Sequence, residues 1–168
     1  MSVMKIRIWP DDALSHVAEP VKSFGADTQE LVDSLYETMY KAHGIGLAAT
    51  QVAVDKRVVV LDLDPGGSSD PEYRKELDEW GVQGPVTLIN PEIIEADGAI
   101  TWDEGWLSLP GITETIKRRG QVVVNALDRH GEPFTHHASG LYAVALQHEI
   151  DHLDGKLFVD YLSRLKRD

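Results

Sequence analysis

The sequence predicts an α+β domain in which antiparallel β-sheets surround a central helix. Two segments, one early and one late in the chain, repeat apolar residues at the 3–4 spacing of an amphipathic helix. Between them lie short β-rich runs punctuated by turn residues. No gap among these runs holds a helical stretch fit for a parallel crossover, so the strands are expected to pair antiparallel. No period of about 20–50 residues repeats, which excludes solenoids and propellers. The 168 residues, 42% of them apolar, suit one core, and a single domain over 1–168 is expected.

The first helix is expected over 28–43. Asp27 stands as its N-cap with Glu30 three places on, Leu31, Val32, Leu35, Met39 and Ala42 line one side, and Gly44 is placed to end it. Strands are expected at Arg57 to Leu63, Val86 to Asn90, Ile93 to Ile94 and Gln121 to Leu127, the last turning through His130 and Gly131 toward Phe134. Residues 64–85 mix Pro65, Gly66, Gly67, Pro71, Gly81, Gly84 and Pro85 with acids. They read as a mobile acidic surface loop with one helical turn around Glu72 to Leu77. The second helix starts at Ser139 as N-cap, runs to Asp154 and stops at Gly155. Its apolar face, Leu141, Val144 and Ala145, continues at the same spacing to His148 and His152, which therefore face inward.

Acidic residues outnumber basic ones 28 to 16, for a net charge of −12, so the surface repels phosphate and excludes DNA and anionic membranes as partners. The apolar runs fall far short of a membrane span, and Lys5 and Arg7 interrupt the one N-terminal stretch that could form a signal core; a soluble, cytoplasmic protein is expected. The absence of cysteine removes disulfides, thiol nucleophiles and thiolate metal sites together.

His148, Glu149 and His152 form H-E-x-x-H on the second helix. Residues four apart stand one turn above each other, so two imidazoles can grip one divalent ion while Glu149 reaches water beside it. Such an ion acidifies water, the glutamate takes the proton, and the oxygen attacks a polarised carbonyl carbon. The plainer alternative is two histidines filling a core helix, with Glu149 on its flank. A hydrolytic centre also wants a third protein ligand and an open position. In the metzincin pattern the third ligand falls on Phe158, which cannot coordinate, and the thermolysin pattern needs a downstream Glu, whereas none follows His152. Both metalloprotease readings fail.

Several segments resemble peptide deformylases. Residues 8–21 are similar to the family's N-terminal segment, and Gly44-Ile45-Gly46-Leu47-Ala48-Ala49-Thr50-Gln51 to its first motif. Gln147-His148-Glu149-Ile150-Asp151-His152-Leu153-Asp154-Gly155 resembles the third, and Leu157-Phe158-Val159-Asp160-Tyr161-Leu162 the strand or turn after it. The resemblance implies a metal-dependent hydrolase that removes the formyl group from N-formyl-methionyl peptides in protein biosynthesis. His148 and His152 would be metal ligands and Glu149 the general base. The Gln51 amide and the Leu107 backbone N–H would donate to the formyl oxygen as it gains charge. Ile45, Leu141 and Val144 would line the methionine pocket, and Gly46 would let backbone approach the substrate, which could pair as an added strand. Arg118 would stand near the mouth of the cleft, or be a solvated member of the Lys117-Arg118-Arg119 run.

The family's second motif is Glu-Gly-Cys-Leu-Ser, whose Cys is the third metal ligand, and this chain has Glu104-Gly105-Trp106-Leu107-Ser108. Indole nitrogen is a donor only, so Trp106 cannot replace a thiolate. Either the ion is lost or another group holds it, with Glu104 the first candidate and Asp103, His136 and His137 behind it. Fe2+ or Zn2+ leads as the expected cofactor, with Ni2+ or Co2+ as alternatives. Formylated nascent peptides are the expected partners, and Arg164, Lys166 and Arg167 leave room for a weak ribosome contact. Two other readings stay open: an impaired relative that binds N-terminal peptides, and an amidohydrolase of altered substrate.

Overall fold

A computed structural model describes residues 2–8, 10–106 and 109–156, with backbone alone at 105, 106 and 109–114. Within these residues the chain forms helix α1 (Ala26–Lys41), strands β1 (Gly46–Ala48) and β2 (Val58–Leu61), and helix α2 (Pro71–Trp80). Strands β3 (Val86–Asp97), β4 (Ile100–Trp106), β5 (Leu109–Arg118), β6 (Gln121–Leu127) and β7 (Pro133–Ser139) follow, and helix α3 (Gly140–Leu153) comes last. A five-stranded sheet has the order β1-β2-β3-β6-β7, and β4 and β5 form a separate hairpin. Every strand pair is antiparallel, as the missing crossovers predicted.

The large sheet is covered on both faces. In β2, Val58 and Val60 join Val32, Leu35 and Met39 of α1, whereas Val59 and Leu61 join Tyr142, Leu146, Ile150 and Leu153 of α3. Successive side chains of a strand point to opposite faces, so a strand between two helices must be apolar throughout. This is why Val58 to Leu61 is apolar without a break rather than alternating.

The helix boundaries are displaced at α1 and met at α3. Gly25, not Asp27, is the N-cap of α1, and Asp27 lies in the first turn, where its charge favours the helix dipole. The left-handed residue that ends α1 is His43, with φ 57°, and Gly44 N–H donates to Met39 O at 3.0 Å. Helix α3 has Ser139 as N-cap, and Gly155, with φ 73°, follows its end. The two strands expected at 86–90 and 93–94 are one, β3, with register shifts between Ile89 and Glu92 and between Ile93 and Glu95. The first coincides with Asn90, which adopts φ 52° and turns its amide to Val21, accepting from Val21 N at 2.8 Å and donating to Val21 O at 3.0 Å.

Residues 64–85 hold more order than the single turn expected at Glu72 to Leu77. Asp70 caps α2 by accepting from Glu72 N at 3.0 Å, Pro71 occupies its first position, and Gly81 ends it with φ 92°. Tyr73 donates to Leu63 O at 2.6 Å, and Trp80 lies over Gly140 so closely that a Cβ there would stand 2.0 Å from the indole nitrogen. Helix α2 is thereby docked on the start of α3. The expectations for Leu157 to Leu162 and for the basic tail lie outside the described residues. No helix among the described residues is long and apolar enough to cross a membrane.

Candidate active site

Helix α3 carries His148, Glu149 and His152 on the face it turns toward the sheet and hairpin. Among the described residues these three form the group that could hold a metal ion, with ligand atoms within 4.8 Å of one another. The imidazole centroids are 5.1 Å apart, as one helical turn requires. His152 is 0% exposed and Glu149 4%. Thr50 Oγ1 donates to His152 O at 3.0 Å, tying the short helical turn Ala49–Val52 to the end of α3.

Strand β1 reaches the carboxylate directly. A Cβ on Gly46 would lie 2.7 Å from Leu61 Cδ2 and 3.1 Å from both Cγ and Cδ of Glu149. Glycine is needed here for space, since its backbone is not left-handed. Gly46→Ala is therefore expected to displace Glu149 and to destabilise the fold by about 1–3 kcal/mol, an overpacking cost that thermal unfolding would measure.

A buried ionic network stands behind His148. Arg118 forks onto Glu104, Nε to Oε2 at 2.9 Å and Nη2 to Oε1 at 2.9 Å, and its Nη1 also donates to Asp151 Oδ2. His148 Nδ1 meets Glu104 Oε1 at 2.9 Å. Burial alone would raise the Glu104 carboxyl, but the Arg118 and His148 hydrogen bonds outweigh it and hold it down to about 2. An ionised Glu104 can only accept, so Nδ1 of His148 carries the proton and Nε2 keeps a lone pair for a ligand. Burial lowers the pKa of both imidazoles, most strongly at His152. Glu149 is pushed the other way, to about 8, by burial first and then by the Glu104 charge. Its Oε2 is buried and has no hydrogen-bond partner among the described residues. Two neutral imidazoles converging beside a carboxylate oxygen without a partner fit a divalent cation, which would supply the charge this pocket lacks.

The alternative ligands named from sequence are engaged elsewhere. Glu104 orients His148 instead of joining the cluster, Asp103 is exposed and bonded to Thr115 Oγ1, and His136 Nδ1 meets Tyr142 OH at 2.9 Å. His137 lies apart, on β7 beside α2. Arg118 is no solvated member of a basic run: it is 6% exposed and serves the network. Strand alternation carries the signal, because Ile116 and Arg118 are buried while Thr115, Lys117 and Arg119 are exposed. Asp151, which the motif leaves unspecified, joins the network as a partner of Arg118, a role the sequence reading did not give it.

The remaining predicted residues divide. Gln51 is 2% exposed, and its Oε1 accepts from Ala48 N at 3.0 Å, which fixes the amide. Ile45 is exposed at the head of β1; Leu141 packs beside the core on α3 and Val144 is buried one turn before His148. Leu107 lies outside the described residues, as does the side chain of Trp106.

Comparison with known proteins places this geometry among relatives. A family model described as polypeptide deformylase matches residues 3–168. A peptide deformylase from Alkalilimnicola ehrlichii is 50% identical over 167 residues, 99% of this chain and 86% of that protein. One from Thermodesulfovibrio yellowstonii is 45% identical over 168 residues, covering 100% of this chain and 94% of that one. Among solved structures, a peptide deformylase from Legionella pneumophila superposes with a TM-score of 0.86 at 42% identity, covering 99% of this chain and 89% of its own. The Ehrlichia chaffeensis enzyme in complex with actinonin gives 0.89 at 38% identity, with 100% and 93% covered.

Proposed function

The chain belongs to the polypeptide deformylase family, and on that premise we propose that it removes the formyl group from N-formyl-methionyl peptides as a metal-dependent hydrolase. The observation that carries the reading is the convergence of His148, Glu149 and His152 within 4.8 Å on one buried helix face. His148 and His152 would hold the ion. When bound, the ion supplies positive charge that acidifies water and polarises the formyl carbonyl. Glu149 takes a proton from the attacking water and returns it to the amine as the carbon–nitrogen bond breaks, leaving formate and a free N-terminus. Gln51 and the Leu107 N–H would donate to the carbonyl oxygen as it gains charge. Ile45, Gly46, Leu141 and Val144 would receive the peptide and its methionine side chain. Two imidazoles without a thiolate favour Zn2+ or Fe2+ while accepting Co2+ or Ni2+. Formylated nascent chains are the substrate class, which argues for work in the cytoplasm, with any ribosome contact resting on Arg164, Lys166 and Arg167.

A second reading, a relative that binds such peptides without turning them over, is favoured by Trp106 alone. Formate release from a formyl-methionyl peptide, measured on the full chain with added Zn2+, Fe2+ or Co2+, separates the two. Turnover by the natural chain that a chelator abolishes is the expected result. Trp106→Cys is expected to bind Zn2+ more tightly, since a thiolate is a stronger donor to Zn2+ than any group the natural chain has in that place. Formate release confined to that variant would select the second reading.

A further inference from the structure

The third ligand that the family draws from its second motif has no counterpart in Trp106, because indole nitrogen offers a proton and no lone pair. Among the described residues the neighbouring carboxylates do not make good the loss. Both oxygens of Glu104 are held by Arg118 at 2.9 Å, one of them also by His148, and Asp151 is bonded to Arg118 as well. Glu149 differs from them. Its Oε2 is buried and has no hydrogen-bond partner among the described residues, and its Oε1 lies 3.9 Å from His148 Nε2. Donors sharing one tetrahedral ion at about 2.0–2.2 Å stand about 3.4 Å apart, and the ligand atoms of His148, Glu149 and His152 lie within 4.8 Å of one another, so binding would draw the three side chains together. Gly46, packed against Cγ and Cδ of Glu149, keeps the carboxylate at this place.

We infer that Glu149 completes the ligand set itself, one carboxylate oxygen joining His148 and His152 on the ion in place of the missing thiolate. The inference rests on the reading that α3 holds an ion for deformylation. It restores the single negative charge that replacing a thiolate by indole removes, and leaves the second carboxylate oxygen to exchange the proton. A ligand set of two nitrogens and one oxygen is also harder than the family's, and suits Zn2+ and Co2+ without help from sulfur.

A double-mutant cycle on metal binding tests it, using Zn2+ affinity by competition with a chromophoric chelator and the visible absorption of bound Co2+. The proteins are the natural full chain, Trp106→Cys and Trp106→Ala, each with and without Glu149→Gln. In the natural chain and in Trp106→Ala, Glu149→Gln is expected to weaken Zn2+ at least as much as loss of an outer-shell partner does, about 10- to 100-fold, and to shift the Co2+ bands. In Trp106→Cys, where the thiolate returns, the change is expected to stay within about twofold. Equal effects in the two backgrounds, or a natural chain indifferent to Glu149→Gln, overturn the inference. Formate release by Trp106→Cys that Glu149→Gln then abolishes would meanwhile leave the deformylase reading intact. Should Glu149→Gln fail to fold, the infrared difference spectrum on adding Zn2+ decides: a carboxylate shift in the natural chain and not in Trp106→Cys supports Glu149 as ligand, and identical spectra refute it.

Discussion

Glu149→Gln is expected to lower the kcat of formate release by about 10²–10⁴-fold with Zn2+ held at saturation. Glutamine keeps the shape of the side chain against Gly46 but cannot accept the proton of the attacking water. Saturating metal separates the loss of a base from any loss of the ion. The peptide should bind as before, because the residues proposed to hold it lie on β1 and the first turns of α3, so KM changes little. Glu149 suits the role of base because its carboxylate lies beside both imidazoles, with Oε1 3.9 Å from His148 Nε2 and Oε2 buried without a hydrogen-bond partner among the described residues. A variant retaining activity within about tenfold of the natural chain would remove Glu149 from that role.

Arg118→Ala is expected to cost about 3–5 kcal/mol of unfolding free energy, the loss typical when one partner of a buried ion pair is removed. The guanidinium holds three hydrogen bonds to Glu104 and Asp151, and without it Glu104 is a buried carboxylate with His148 as its remaining neighbour in the network. A single domain has only about 5–15 kcal/mol to lose in all, so the change consumes a large share of it. Lysine would keep the charge and lose the fork, so Arg118→Lys should fall between the two. Urea unfolding measures both, and a cost below about 1 kcal/mol for Arg118→Ala would mean that the network contributes no more than solvent-exposed pairs usually do.

The helix carrying the site was legible in sequence because two independent patterns coincide there. The 3–4 spacing from Leu141 and Val144 marks the inward face, and His148 and His152 fall on it. Strands β2 and β6 were legible as short β-rich runs between turn residues. The β4–β5 hairpin was not. Its two strands pair with each other and stand apart from the large sheet, and Thr101, Asp103, Thr115 and Lys117 expose their side chains, so little apolar periodicity marks it. Helix α2 was hidden for another reason. Asp70, Pro71 and Gly81 are start and stop signals for a helix, but amid Gly66, Gly67, Gly84 and Pro85 they read as loop composition. Arg118 was obscured by its basic neighbours on either side, although Ile116 two residues earlier faces the same way.

Because β2 is lined by α1 on one side and α3 on the other, the two apolar layers share a wall instead of meeting at a seam. The slab beneath α3 is thus braced from behind, and slack introduced under α1 has no plane along which to be absorbed before it reaches His148 and His152. Chemistry that depends on tenths of an ångström thus rests on a layer packed tightly from both sides.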